Sequence, residues 1–414
     1  MSVLSNEERV KILSDIVSIK TVNSNELEVA QYLEKLFNRY GIRSHIDTVT
    51  DGRANLIATV GSSQPVIGIS GHMDVVSEGD HDHWTYDPFT LTEDQGYLYG
   101  RGAADMKSGL AALAIALIEI KESGKLTQGT IKFMATVGEE MEQSGSQQLF
   151  EKGYADDLDA LLIAEPSFPS LVYAHKGSMD FRIKSKGRAS HSSLPFLGQN
   201  AIKPLLEFIQ NINQEYEKIM QTVKGESLDF SNMINKLENQ LPSHITKEKA
   251  QELIQGLVMT NSIVQGGTQV NSVPDFATAE FNVRTIPEYN NNKVKALFNK
   301  YVEQANHNGA SLTQELYLDL EPVVTTGQNR LVELGFDIAK SHFSNERDLI
   351  VTPTVAVTDA SNLLKGKDEN FPFLMFGPGN GPHQINECVE KANYLEFVEY
   401  YIEFITSYLN EENE

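Results

Sequence analysis

The 414-residue sequence has only one cysteine, Cys388. That excludes an intramolecular disulfide framework and any zinc site built from several cysteines, and it fits a reducing cytoplasm. Clustered basic residues are also missing. Lys and Arg number 34 against 57 Asp and Glu, so the formal charge is 34 − 57 = −23. A chain this acidic is a poor binder of nucleic acid or anionic membrane, because phosphate contact needs clustered cations. The longest apolar run, LAALAIALI at 110–118, is too short for a membrane span of about 20 residues. The opening MSVLSNEERVKIL mixes charges and is unlike a secretory signal. No internal repeat or low-complexity tract occurs.

Hydrophobic residues make up 40% of the chain, ample for a sizeable core. The length predicts two or three domains, or one domain with a large insertion. Residues 1–40 read as two helices; in the second, Val29, Tyr32, Leu33, Leu36, Phe37 and Tyr40 form a helical stripe before Gly41. Strands are expected at 54–60, 66–76, 130–138 and 159–164, with helices at 106–122 and between the last two strands. Strands alternating with helices predict an α/β fold, a mostly parallel sheet flanked by helices. The character changes near 177, where MDFRIKSKG alternates strictly, as in a half-exposed antiparallel strand. Residues 198–260 read as mostly helical, and 277–285 alternates again. An inserted α+β domain is therefore expected at 177–288, with 1–176 and 289–414 forming one discontinuous catalytic, metal-binding domain.

Acidic and imidazole side chains fall at predicted strand ends. His72 and Asp74, two apart in HMD, would share a strand face. A metal-bound His usually needs an acceptor on its other ring nitrogen. The pair His45 and Asp47 has nothing metal-like beside it and reads as surface. Asp105, in GRGAADMKSG, sits at a loop-to-helix junction. It takes the third glycine position of a dinucleotide fingerprint, where a carboxylate would also repel pyrophosphate, so that reading fails. No GxSxG elbow occurs either. Glu139 and Glu140 follow an apolar strand and cannot face the same way, so one could bind metal while the other acts as base. Glu165 ends the 159–164 strand, and His383 lies in a Gly/Pro loop after the apolar run 371–376. Sites in open α/β sheets form beyond the carboxyl ends of strands. Two imidazoles and three carboxylates suit two zinc-like ions with one bridging carboxylate. His81 and His83 read as a solvated loop.

GHMDVV, the DPF at 87–89, LYGRGAADMKSG, GEE, EP, HSSLP, GQNAI and the late GPH resemble, in this order, the M20 metallopeptidase family. The resemblance spans nearly the whole chain and is nearest the family's bacterial desuccinylase-like branch. It implies a zinc exopeptidase-like fold with a lid or dimerisation domain inserted. It also implies a dinuclear zinc site (Co or Mn being possible) and hydrolysis of a linear amide. His72 would bind one metal and Asp74 would orient it. Asp105 would bridge, its following peptide often being cis in the family. Glu139 would be general base and acid. Glu140 and His383 would serve the second metal, and Glu165 the first. His191 would reach the substrate carbonyl from the partner subunit, and Asn271 and Arg284 would read a substrate carboxylate. The implied substrate is a small N-acyl amino acid, foremost N-succinyl-LL-2,6-diaminopimelate of lysine biosynthesis; a dipeptide or an N-acetyl amino acid are the sister readings. A non-catalytic, ligand-binding member of the fold is the alternative of another class, and the retained Glu139 and ligands argue against it. Lys176, the stretch TPTVAVTDAS at 352–361 and the long helices near 210–260 depart from the proteobacterial pattern. Those departures bear on substrate contacts and leave the metal ligands intact.

Overall fold

The computed structural model describes residues 2–343, 349–379 and 381–410. The chain divides into two compact units. One is Met1–Ala174 with Thr325–Thr352 and Thr358–Glu414; the other is His175–Val324 with Pro353–Val357.

An eight-stranded sheet organises the first unit. Its order is Arg43–Thr50, Arg53–Gly61, Thr130–Thr136, Val66–His72, Ala160–Pro166, Phe373–Gly377, Ser170–His175 and Ile350–Thr354. At its centre Val66–His72 runs parallel to both Thr130–Thr136 and Ala160–Pro166, and Phe373–Gly377 runs parallel to Ala160–Pro166. Val66–His72 is buried at every position, as a strand covered on both faces must be. The covering helix Lys107–Ser123 is buried from Lys107 through Ile120. A helix apolar all round needs partners all round, and it packs against Asn6–Ser18, Lys391–Asn410 and the central strands. Gly124 ends it in the left-handed region, at φ 64°, where glycine is unstrained.

The second unit has a four-stranded sheet in the order Val258–Gly266, Phe276–Thr285, Gly177–Lys186, Leu312–Leu320. The pairs given by register are antiparallel. Phe276–Thr285 and Gly177–Lys186 alternate between buried and half-exposed positions, as their sequences predict. Phe181 stacks on Phe298 with ring centroids 4.1 Å apart, and Phe208 and Phe281 pack edge-on around that pair.

The expected insertion at 177–288 stops short. Leu312–Leu320 pairs with Gly177–Lys186, setting Leu316 opposite Phe181. The helix Asn291–His307 adds Val294, Leu297 and Phe298 to the same core. Pro287 marks a turn between elements of one unit, so the boundary at 288 and the matching start of the discontinuous domain at 289 are corrected. The 66–76 strand also ends early, at His72, which places Asp74 beyond it.

Candidate metal centre

Parallel strands deliver their carboxyl ends to one edge of a sheet. Three neighbours do so here. His72 is the last residue of its strand, and it registers with Thr136 of the adjacent strand. Glu139 and Glu140 follow that adjacent strand directly. On the other side, Ser70 registers with Ile163, two residues before Glu165. The helix Lys107–Ser123 reaches this edge with Asp105 in the turn ahead of it, and the Asp105–Met106 peptide is cis. That helix approaches closely because residue 109 is glycine: a Cβ there would lie 2.0 Å from the Ala164 carbonyl oxygen. A Cβ on Gly377 would lie 2.1 Å from the same oxygen. His383 joins from the loop after Phe373–Gly377, in a left-handed conformation with φ 64°.

The sequence-derived donors therefore meet. His72 Nε2 lies 3.1 Å from Asp105 Oδ1 and 3.5 Å from Glu165 Oε1. His383 Nε2 lies 3.0 Å from Glu140 Oε2 and 3.3 Å from Asp105 Oδ2. Asp105 thus faces both imidazoles, one with each oxygen. Two overlapping sets of donor atoms, His72 with Glu139 and Glu165, and His72 with Asp105 and Glu140, lie within 4.8 Å of one another.

Asp74 works differently from a simple His–carboxylate pair. His72 Nδ1 donates to the backbone carbonyl of Asp74 at 2.9 Å. A carbonyl only accepts, so Nδ1 carries a proton, and whenever the ring is neutral its lone pair lies at Nε2. The Asp74 carboxylate instead accepts the backbone N–H of Glu139 and of Glu140, at 3.2 and 3.1 Å. It places both glutamates through their main chain.

Gln143 was not legible in the sequence. It is fully buried, and its Nε2 donates to Glu139 Oε1 at 2.9 Å. Its φ of 53° is left-handed, uncommon for a residue with a side chain. Asn362 Nδ2, in the short helix Ala360–Leu363, braces it, bonding Ser146 Oγ at 3.0 Å as well. Asp359, which precedes that helix, accepts from Thr136 Oγ1 at 2.5 Å, and burial raises its carboxyl to about 6.

The electrostatics show what the cluster favours. Burial, then the charge of Glu165, raises Glu139 well above the carboxylate range; burial, partly offset by His72, does the same to Glu165. Burial also raises Glu140. Burial alone would lower His72, yet Glu165, Asp105 and Asp74 outweigh it and hold it well above the usual imidazole value. Asp105 and Glu140 lift His383 to about 10. A neutral His72 would set its Nε2 lone pair against carboxylate oxygens, acceptor against acceptor. A cation between them removes that conflict, and an N/O donor set fits a divalent ion.

The remaining expected site residues belong to the second unit. His191 is exposed, with Nδ1 2.7 Å from Ser193 Oγ. Its segment pairs with that of Asn271: His191 bridges to Ser272, and Ser192 N–H donates to the Asn271 carbonyl at 3.0 Å. Arg284 stands on the middle strand opposite Ser178 and Val258. His81 and His83 are exposed, and Asp47 pairs with Lys152 at 2.6 Å, so those acidic and imidazole residues stay outside the site.

A layered α/β sheet with imidazoles and carboxylates gathered at its parallel strand ends defines a metal-dependent hydrolase. The profile of Peptidase family M20/M25/M40 matches residues 68–407, and the chain belongs to that family. A relative from Staphylococcus epidermidis, named "Probable succinyl-diaminopimelate desuccinylase", is 44% identical over 411 residues, covering 99% of this chain and 100% of the relative. A "Succinyl-diaminopimelate desuccinylase" from Wolbachia pipientis wMel is 27% identical, covering 98% of this chain and 94% of its own. Among solved structures, the M20 family metallo-carboxypeptidase Sso-CP2 from Sulfolobus solfataricus shares the fold with a TM-score of 0.81 at 20% identity, covering 97% of this chain and 99% of that one. The dipeptidase Dug1p from Saccharomyces cerevisiae does so with a TM-score of 0.78 at 16% identity, covering 98% and 97%. Among the described residues, no helix is long and apolar enough to cross a membrane.

Proposed function

We propose that this protein hydrolyses N-succinyl-LL-2,6-diaminopimelate to succinate and LL-diaminopimelate, a step of lysine biosynthesis, in the cytoplasm. The carrying observation is end-to-end similarity, 44% identity across 99% of the chain, to relatives named for that activity. His72, Asp105 and Glu165 would hold one zinc ion, and His383, Asp105 and Glu140 a second; Co or Mn would suit the same donors. Bound there, the ions would supply Lewis acidity to a water and to the amide carbonyl.

The protein's own groups then divide the work. Glu139 takes the proton of the attacking water as general base. Gln143 occupies its Oε1, which leaves Oε2 to carry that proton. The water oxygen bonds to the carbonyl carbon, the C–N bond breaks, and Glu139 returns the proton to the leaving nitrogen. Asp74 keeps the His72 ring in one tautomer and keeps the 139–140 backbone in place. His191 donates to the developing oxyanion. Asn271 and Arg284 read a substrate carboxylate, for which a guanidinium is suited. The second unit acts as lid and dimerisation surface; the edge strand Val258–Gly266 leaves Ile263 and Val264 exposed, a surface that a second copy could pair with.

An assay panel tests the reading. Metal-stripped protein, reloaded with Zn or Co, is offered N-succinyl-diaminopimelate, N-acetyl-ornithine, other N-acyl amino acids and dipeptides. Metal-dependent turnover confined to the succinyl substrate is expected. Turnover of dipeptides instead would move the protein to the peptidase branch, and of N-acetyl substrates to the deacetylases.

A further inference from the structure

One buried carboxylate braces the two loops that carry Asp105 and His383. Glu387 lies four residues after His383 and is 2% exposed. Its Oε1 accepts three backbone N–H groups, those of Gly102, Ala104 and Asp105, at 3.1, 2.9 and 2.9 Å. Its own carbonyl accepts Gly100 N–H at 2.9 Å. Its Oε2 pairs with Arg101 Nη1. Arg101 is equally buried, and its Nη2 donates to the Ser77 carbonyl at 3.1 Å. The guanidinium lies 5.2 Å from the ring centroid of Trp84, whose Nε1 donates to the Glu78 carbonyl at 2.8 Å. Asn386 Oδ1 accepts Thr85 N–H at 2.7 Å. Three segments, 77–85, 100–105 and 383–387, thus share one carboxylate–guanidinium pair.

A buried ion pair is weak grounds for a role in stability, because desolvation offsets much of the attraction. The direction of the bonds is more informative. Every backbone N–H that Glu387 accepts lies on the turn bearing Asp105, and the chain continues from Glu387 back to His383. We infer that Glu387, held by Arg101, is a positioning residue for metal binding: it fixes the spacing of Asp105 and His383, 3.3 Å between Oδ2 and Nε2. The inference rests on the reading of those two residues as metal ligands.

Cobalt(II) titration of the metal-free, full-length protein tests it. Two signals are read together: the visible absorption of bound Co(II) and the emission of Trp84, the only tryptophan in the chain. In E387Q the Co(II) dissociation constant is expected to rise about 10–100-fold, the usual effect of removing a partner of a metal ligand. The Co(II) band should change shape and Trp84 emission should shift, while far-UV circular dichroism stays that of the wild type. At saturating Co(II), kcat falls and KM holds. Wild-type affinity and an unchanged Co(II) band in E387Q overturn the inference. Should E387Q fail to fold, R101K, which keeps the carboxylate and a positive charge, carries the same test: weakened Co(II) binding supports the inference and unchanged binding overturns it. A wild-type protein that takes up no Co(II) overturns the metal reading itself, a result distinct from either.

Discussion

Burial moves the titratable groups of the two units in opposite directions. In the first, Glu139, Glu140 and Glu165 crowd around Asp105, and burial pushes all three glutamates up. In the second, burial pushes His175 down to about 4 and Lys176 to about 8, with the Arg284 charge lowering both. Gathering like charges away from water is costly, and packing alone gives no reason to do it. For the carboxylates, a cation does. The donors of the first cluster suit a divalent cation. In the second, on the proposal above, Arg284 takes a substrate carboxylate.

The largest expected effect falls on the first cluster. Glu139→Ala should lose about 10²–10⁴-fold in kcat, the usual worth of a general base, and keep its metal by elemental analysis. Retained turnover would remove Glu139 from its role. Next comes metal removal. Zinc at a hundredfold over its dissociation constant should stabilise the protein by about 2.7 kcal/mol, read as a fall in Tm after chelation. An unchanged Tm would leave the acidic cluster without its counter-charge.

The second cluster is tested through substrate. Arg284→Gln should raise KM for carboxylate substrates about 10–100-fold, from the ~1.5–3 kcal/mol of a hydrogen bond to a charged group. Steady-state kinetics decide, and a fall in kcat at unchanged KM would contradict a carboxylate-reading role. The smallest effect is a slope. The unfolded chain protonates His175 below about 6.5, the folded chain only below about 4. Between those values folding sheds a proton, so stability falls as pH drops, by up to about 1.4 kcal/mol per pH unit. His175→Asn should flatten the acid limb of Tm against pH. The raised glutamates of the metal-free site act in the opposite sense, holding protons that the unfolded chain has released above about 4.5. They favour the folded state less as pH rises.

What could be read in advance was what lies close together along the chain. The donors end predicted strands, and the parallel order of 130–136, 66–72 and 160–166 brings such ends to one edge. His72, Glu140, Glu165 and His383 therefore meet where strand-end logic puts them, and Asp105 joins from the turn ahead of Lys107–Ser123. The braces left no comparable trace. Glu387 finds the Gly102 amide 285 residues away, and Gln143 finds its own brace in Asn362, pairings that no periodicity encodes. Asp74 sits beyond its strand because the strand closes at His72, and its carboxylate accepts the 139 and 140 amides while lying 3.6 Å from His72 Nδ1. The domain boundary at 288 failed for a related reason: Leu312–Leu320 alternates like its neighbours, and only its pairing with Gly177–Lys186 assigns it to the second unit.

The glycines facing the Ala164 carbonyl bear on which sequence changes this site tolerates. In a helix interior, Gly→Ala ordinarily stabilises by about 1 kcal/mol. At Gly109 the added methyl would meet the carbonyl oxygen at 2.0 Å, and the helix would have to retreat, taking Asp105 away from Glu165. A Cβ on Gly377 would meet the same oxygen at 2.1 Å. Inherited variation at either position would be silent by every chemical criterion, since no ligand, charge or hydrogen bond is altered. It would still disable the site by changing its width, so a survey of donors alone would score such a variant as intact.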